Sequence, residues 1–227
     1  MPALLIVAFV ILVVLIGVLG YYQRQKRIKE LTAFAAGRRL AFDPGKDHGL
    51  EDRFPEFKCL RRGSDRYAYN RMWGDWSGRE ILAFDYHYET HSTDSKGRRK
   101  THHHRFSAVI LASDVPLRPL VIRPEGLFDK VAGFFGFDDI DFESAEFSRR
   151  FYVKSPDRKW AYDVIHTRTM ELLLASPRFS IEFDRRHVIA YRRSTFDIQE
   201  FAAAVGLAEG ILQGLPDYLV QQQRGEA

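Results

Sequence analysis

Five of the eight histidines fall between positions 87 and 104, at 87, 91, 102, 103 and 104, and Glu89 sits between the first two. Imidazole and carboxylate are the ligands that Zn²⁺ and other borderline divalent ions take. The stretch STDSKGRRKT, Ser92 to Thr101, reads as an exposed hairpin loop between two strands. A hairpin closed there sets His91 against His102 and Glu89 against His104. Strand alternation then gathers His87, Glu89, His91, His102 and His104 on one face. This is not the helical HExxH spacing. A solvated hairpin tip rich in polar residues explains the same residues without an ion, so no cofactor is required and a divalent metal stands as the alternative.

Other clusters carry less. In the acidic run Asp138, Asp139, Asp141 and Glu143, the last three would line one face of a strand, but the run lacks the glycine and terminal glutamate of an EF-hand loop and defines no site. Basic doublets recur along the chain, yet 34 Lys and Arg are offset by 30 Asp and Glu, a net charge of +4. Nucleic-acid binding wants a concentrated basic excess, which is absent. Arg98, Arg99 and Lys100 on the hairpin loop suit an anionic membrane surface. Near the C-terminus Ala202, Gly206, Gly210 and Gly214 recur every fourth residue, a bare stripe on a helix. It implies close backbone approach, either to the domain's own sheet or to a second copy of the helix in a homodimer. No GxSxG, P-loop, GxGxxG or CxxC motif occurs, and no catalytic residue is assigned.

What positions these groups begins with residues 3–22, ALLIVAFVILVVLIGVLGYY, twenty residues without a charge. At about 1.5 Å per residue they match a bilayer core of roughly 30 Å. No basic segment precedes them and no small-x-small cleavage site follows, which favours a retained helix over a signal peptide. Tyr21 and Tyr22 suit the headgroup layer. Arg24, Lys26, Arg27 and Lys29 follow at once, membrane-surface contacts that orient the N-terminus outward and the body toward the cytosol, at the inner (plasma) membrane. The lone Cys59 agrees, since one thiol closes no internal disulfide.

A juxtamembrane helix over 23–37 carries Ile28, Leu31, Phe34 and Ala35 at helical spacing, with Gly37 at its C′ position. Residues 38–222 then form one α+β domain, or two lobes at about 38–123 and 124–222. Extended segments are expected at Phe57–Leu60, Arg66–Trp73, Glu80–Tyr88, Phe106–Leu111 and Pro119–Ile122. Helices follow: one from Pro124 to Gly136, one capped at Ser155-Pro156, and one capped at Thr167 or Thr169. Phe179–Phe183 and His187–Tyr191 flank Asp184-Arg185-Arg186 as a hairpin. Asp197 and Glu200 form a capping box for a last helix that stops or kinks near Pro216. Segregated strands and helices give antiparallel strands with helices packed on one side.

The series Phe54-Pro55-x-Phe57, Arg61-Arg62-Gly63, Asn70, Gly74 and Phe84-Asp85-Tyr86-x-Tyr88 resembles a group of prokaryotic membrane-anchored proteins with a domain of unknown function. So do Arg123-Pro124-Glu125, Asp139-Ile140-Asp141-Phe142, Glu146-Phe147-Ser148 and Phe151-Tyr152-Val153, so the likeness runs from about 54 to 212. Where a Gln-Thr pair is expected, this chain has His103-His104. The resemblance implies the anchored architecture and assigns no activity or ligand. The main expectation is a non-catalytic cytosolic interaction module with a protein partner, for which Trp73, Trp76, Tyr86 and Tyr88 are candidate contacts if the sheet exposes an aromatic face. The alternatives are a metal-dependent hydrolase using His87, Glu89, His91 and His102, and a sensor of anionic lipid.

Overall fold

A computed structural model describes residues 2–126 and 140–225. Its first element, α1 (Pro2–Gly37), is one uninterrupted helix of 36 residues, about 54 Å long. From Leu5 to Leu19 its large side chains are 52–70% exposed, so nothing among the described residues covers them. Each such side chain gains about 1.5–3 kcal/mol on leaving water, and a bilayer is the environment that supplies this. The chain is membrane-anchored by a single apolar N-terminal helix. The second half of α1 belongs to the body: Leu31 and Ala35 are buried in the main core. Gly37 is the last helical residue, and the left-handed position that ends the helix is Arg39 (φ 57°), two residues later than expected.

The body is a six-stranded antiparallel sheet of β1 (Ala41–Asp43), β2 (Ser64–Trp76), β3 (Arg79–Thr93), β4 (Arg99–Pro124), β5 (Phe151–Lys154) and β6 (Ser180–Arg192). β4 is its spine. β3 pairs along one edge up to Leu111, while β6 takes the other edge from Ser107 to Ile122. Val121 and Ile122 pair with both β5 and β6, so β5 continues the edge that β3 leaves. Helices α3 (Ala145–Arg150), α4 (Arg158–Val164), α5 (Thr167–Ala175), α6 (Ile198–Gln213) and α7 (Asp217–Gly225) pack with α1 on one face. The short α2 (Leu50–Arg53) and a 3₁₀ turn at Lys58–Arg61 cover a smaller core on the other. Alternation sorts the strands between them. Ala83, Val109, Leu111, Val188 and Ala190 face the helices; Phe84, Tyr86, Ala108, Ile110 and Ile189 face the turn.

Several expected boundaries move. Phe57–Leu60 falls on the 3₁₀ turn Lys58–Arg61 and its N-cap Phe57, its apolar residues plugging the small core instead of alternating along a strand. Phe106–Leu111 and Pro119–Ile122 are one strand, bulged between Ala112 and Leu117. The matching bend in β6 falls at Arg185 (φ 52°), so Asp184-Arg185-Arg186 is a bulge within one strand and not a hairpin turn. Pro124 ends β4 opposite Phe151, and the helix expected from it falls on residues outside those described. Of the acidic run, Asp138 and Asp139 also fall outside, while Asp141 and Glu143 are exposed in irregular chain. Asp157, not Ser155, caps α4, and His166 stands at the N-cap of α5. The Asp197–Glu200 capping box on α6 is formed on both sides.

The glycine stripe of α6 splits. A Cβ at Gly210 would lie 2.8 Å from Leu172 of α5, so this glycine admits a neighbouring helix of the same chain. Gly206 meets nothing within 4 Å, and Gly214 is the C-cap.

Candidate functional site

The outer half of β3 and β4 carries the chemistry-bearing residues, and their register decides which of them meet. The turn runs through Asp94, whose carboxylate accepts from the backbone N–H of Lys96 and Arg98, with Gly97 at φ 76°. This short turn pairs Thr93 with Arg99, His91 with Thr101, Thr90 with His102 and Glu89 with His103. The longer loop expected from the sequence is off by one residue, and in a strand a slip of one moves every side chain to the opposite face. His102 and His104 therefore leave the group, and His103 joins it.

Three ligand atoms converge: His87 Nε2 lies 3.2 Å from His103 Nδ1, which lies 3.0 Å from Glu89 Oε1. All three are within 4.8 Å of one another. His87 is buried and rests on the Tyr67 ring, centroids 4.5 Å apart. Its Nδ1 is 3.1 Å from the carbonyl oxygen of Asp65. A carbonyl only accepts, so Nδ1 carries the proton and Nε2 presents its lone pair to the cluster. That arrangement, one ring nitrogen held by a carbonyl and the other free, is how metal-binding histidines are oriented. The remaining nitrogen, His103 Nδ1, faces two acceptors. One proton on it satisfies Glu89 or His87 fully but not both, whereas a divalent cation satisfies all three.

The other histidines are engaged elsewhere. His91 shares the ligand face but is held between the hydroxyls of Ser64 and Thr101, at 3.1 and 3.2 Å. His102 meets Ser92 and His104 meets Thr90 on the opposite face, and His104 stacks on Tyr88 at 4.6 Å. Burial holds His104 below the ordinary imidazole value, and the charges of His102 and Arg193 add to this.

Just inboard lies a group that sequence reading missed. Asp85, fully buried, accepts from Arg27 Nε at 2.9 Å and Arg27 Nη2 at 2.6 Å, from Asn70 at 2.8 Å and from the Ser107 hydroxyl. Arg27 Nη1 also donates to the Phe196 carbonyl. Arg27, expected at the membrane surface, is instead the bolt between α1 and the sheet. Its position on the stripe of Leu31 and Ala35, four and eight residues on, is the signal that marks it as inward-facing. Arg24, Lys26 and Lys29 remain exposed, Lys26 beside Glu30, and so do Arg98, Arg99 and Lys100. Of the expected aromatic contacts, Tyr86 is buried with its hydroxyl donating to Leu60, Trp76 packs on Phe34, and Trp73 is exposed.

The contacts of α1 fix where the ribbon points. Arg38 covers Trp76, which pairs with Arg79, and Arg27 reaches Asp85. From residue 38 back to 27 is about 16 Å of helix, and from 79 to 85 about 20 Å of strand. The two near-equal lengths mean that α1 and β3 lie alongside one another in opposite directions. Beyond Arg27 the helix becomes apolar within about 8 Å, at Tyr22. Beyond Asp85 the ribbon continues for eight residues to Thr93, about 27 Å in the same direction.

These features define a membrane-anchored α+β protein with a polar, histidine-bearing ribbon directed toward its anchor. No family model matches the sequence, and no curated protein does. Among solved structures, the fold matches the crystal structure of the mycobacterial trehalose monomycolate transport factor A, TtfA, with a TM-score of 0.60. The match covers 83% of this chain and 96% of that one at 13% sequence identity, a likeness of fold.

Proposed function

We propose that this chain is a single-pass membrane metalloprotein in which His87, Glu89 and His103 hold one divalent ion of the zinc class, with hydrolysis as its chemistry. The observation that carries this reading is the convergence of three ligand atoms around a histidine whose other nitrogen is committed to Asp65. Two histidines and a carboxylate leave a fourth position for water, the composition of hydrolytic zinc centres, where the bound water ionises near neutral pH. Arg24, Lys26, Arg27 and Lys29 favour an outward N-terminus and a cytosolic body at the inner membrane.

Full-length protein purified in mild detergent, without chelator, tests the reading by elemental analysis. Near-equimolar zinc is expected, and His87→Ala or His103→Ala lowers affinity by about tenfold or more. A metal-free wild type that takes up no added zinc overturns it.

A second reading, a non-catalytic module working with a protein partner in transport at the membrane, is favoured by the fold shared with TtfA, a protein named for trehalose monomycolate transport. Affinity purification from native membranes tests it. A stoichiometric partner with a metal-free chain decides for this reading; a lone, metal-loaded chain decides against it.

A further inference from the structure

Between Ser92 and Thr101 the ribbon carries four cations, Lys96, Arg98, Arg99 and Lys100, against one carboxylate, Asp94. All four cations are exposed. The carboxylate is used within the turn, where it accepts from the backbone N–H of Lys96 and Arg98 and from Arg98 Nε at 2.9 Å. The tip therefore bears a local positive excess in a chain of nearly balanced charge. Thr93 pairs with Arg99 and Ser92 with Lys100, and neighbours along a strand point to opposite faces. Arg99 and Lys100 thus leave the ribbon on opposite sides, while Lys96 and Arg98 stand at its end. A partner gripping one face would meet part of this charge; a surface met end-on meets all of it.

The fold offers the tip such a surface. Arg27 is level with Asp85, and α1 turns apolar about 8 Å beyond it, an interval that a headgroup layer of about 6 Å largely fills. The ribbon runs about 27 Å from Asp85 to Thr93 in the same direction. Its tip therefore reaches the headgroups even where the ribbon twists away from the helix. Lys and Arg are costly in hydrocarbon, which stops the tip at the surface. No apolar side chain lies between Ser92 and Thr101, so the contact is electrostatic. We propose that the β3–β4 tip is a membrane-docking surface, on which Lys96, Arg98, Arg99 and Lys100 rest on the anionic headgroups of the bilayer that holds α1. Docking gives the body a second attachment and sets its tilt over the bilayer. The inference does not rest on the metal reading, since none of the four is a ligand of that cluster.

The test uses full-length protein in nanodiscs, with EDTA present so that failure of the metal reading leaves it intact. Ser95→Cys places a fluorophore on the tip, because the native Cys59 is buried. Quenching by a lipid spin-labelled at its headgroup reports contact, in discs of phosphatidylcholine alone and with about 30% phosphatidylglycerol. Quenching is expected in the anionic discs, and salt at about 0.5 M should reverse it. Arg99→Gln/Lys100→Gln, which spares the Asp94–Arg98 turn, should lower the ratio of docked to free tip about tenfold or more. A thermal melt checks that this variant folds, and Arg178→Gln, an exposed charge outside the ribbon, should change nothing. Equal quenching in both kinds of disc, or quenching unchanged in the double variant, overturns the proposal. So does a tip unquenched in either disc, the result expected if it serves a protein partner instead.

Discussion

The inner and outer halves of the β3–β4 pair handle charge in opposite ways. Inboard, the Asp85 carboxylate is buried and accepts from Arg27 twice, from Asn70 and from Ser107, so its lone pairs are used by protein. Two residues farther out on the same face, His87, Glu89 and His103 share too few protons. Buried polar groups that are fully partnered hold a structure together, and those that are not mark where something else binds. The inner half fastens the anchor helix to the sheet; the outer half gathers the three ligand atoms of the proposed metal site.

Removing the bolt should have the largest effect. Arg27→Met leaves the Asp85 carboxylate buried with two neutral donors, a loss of about 3 kcal/mol in stability. Thermal unfolding of the full-length protein measures it, and Arg27→Met/Asp85→Asn should recover part of the loss because no charge is then stranded. A cost near that of an exposed ion pair, below about 1 kcal/mol, would break the contrast between the halves.

The glycines on β2 and its turn sharpen the contrast further. Gly63 and Gly78 both have positive φ, but only Gly63 is also pressed against backbone. Gly78→Ala should cost about 1 kcal/mol, from backbone conformation alone. Gly63→Ala should cost about 2 kcal/mol or more, since β3 must move at Glu89. Zinc affinity should fall with it, a link that Gly78→Ala lacks; unchanged zinc binding in Gly63→Ala would detach Glu89 from the site.

Burial of a carboxyl has a pH signature at Glu182. Its carboxyl is raised above the ordinary 4.5 by burial, with Tyr191 and Arg123 acting against this. A raised folded-state value means that the folded protein holds the proton more tightly than the unfolded chain. The contribution to stability is complete below 4.5 and is lost as pH rises through the folded value. Melting temperature against pH should fall less steeply above 4.5 in Glu182→Gln, whose amide oxygen still accepts from Tyr191; identical slopes would overturn the assignment.

The anchor, the α+β class and the α6 capping box were legible in sequence because each rests on a local demand: a charge-free bilayer span, alternation, an N–H to cap. Residues paired across long separations were less legible. Arg27 sits in a run of basic residues and reads as one more of them, although its partner is 58 positions away. Phe57 and Leu60 have the composition of a strand and the role of a plug. The histidine cluster was legible in place and wrong in membership, because a register depends on the length of its turn. Asp94 with Gly97 three residues later was the available signal: an aspartate that caps two backbone N–H groups and a glycine that turns left-handed.

That register yields the prediction with the smallest expected effect and the sharpest meaning. In the pairing first expected, His91 faces His102 and both are ligands, so His91→Ala/His102→Ala would empty the site. In the observed pairing His91 faces Thr101 and His102 faces Thr90, one engaged by hydroxyls on the ligand face and the other turned away from it. Neither ring contributes an atom to the convergence of His87, Glu89 and His103. The double variant should therefore keep its zinc with affinity within about twofold of wild type, while His103→Ala alone loses about tenfold or more. Elemental analysis of the two proteins, prepared side by side, separates the registers. Loss of metal in the double variant with retention in His103→Ala would move the ribbon by one residue and take the proposed centre with it.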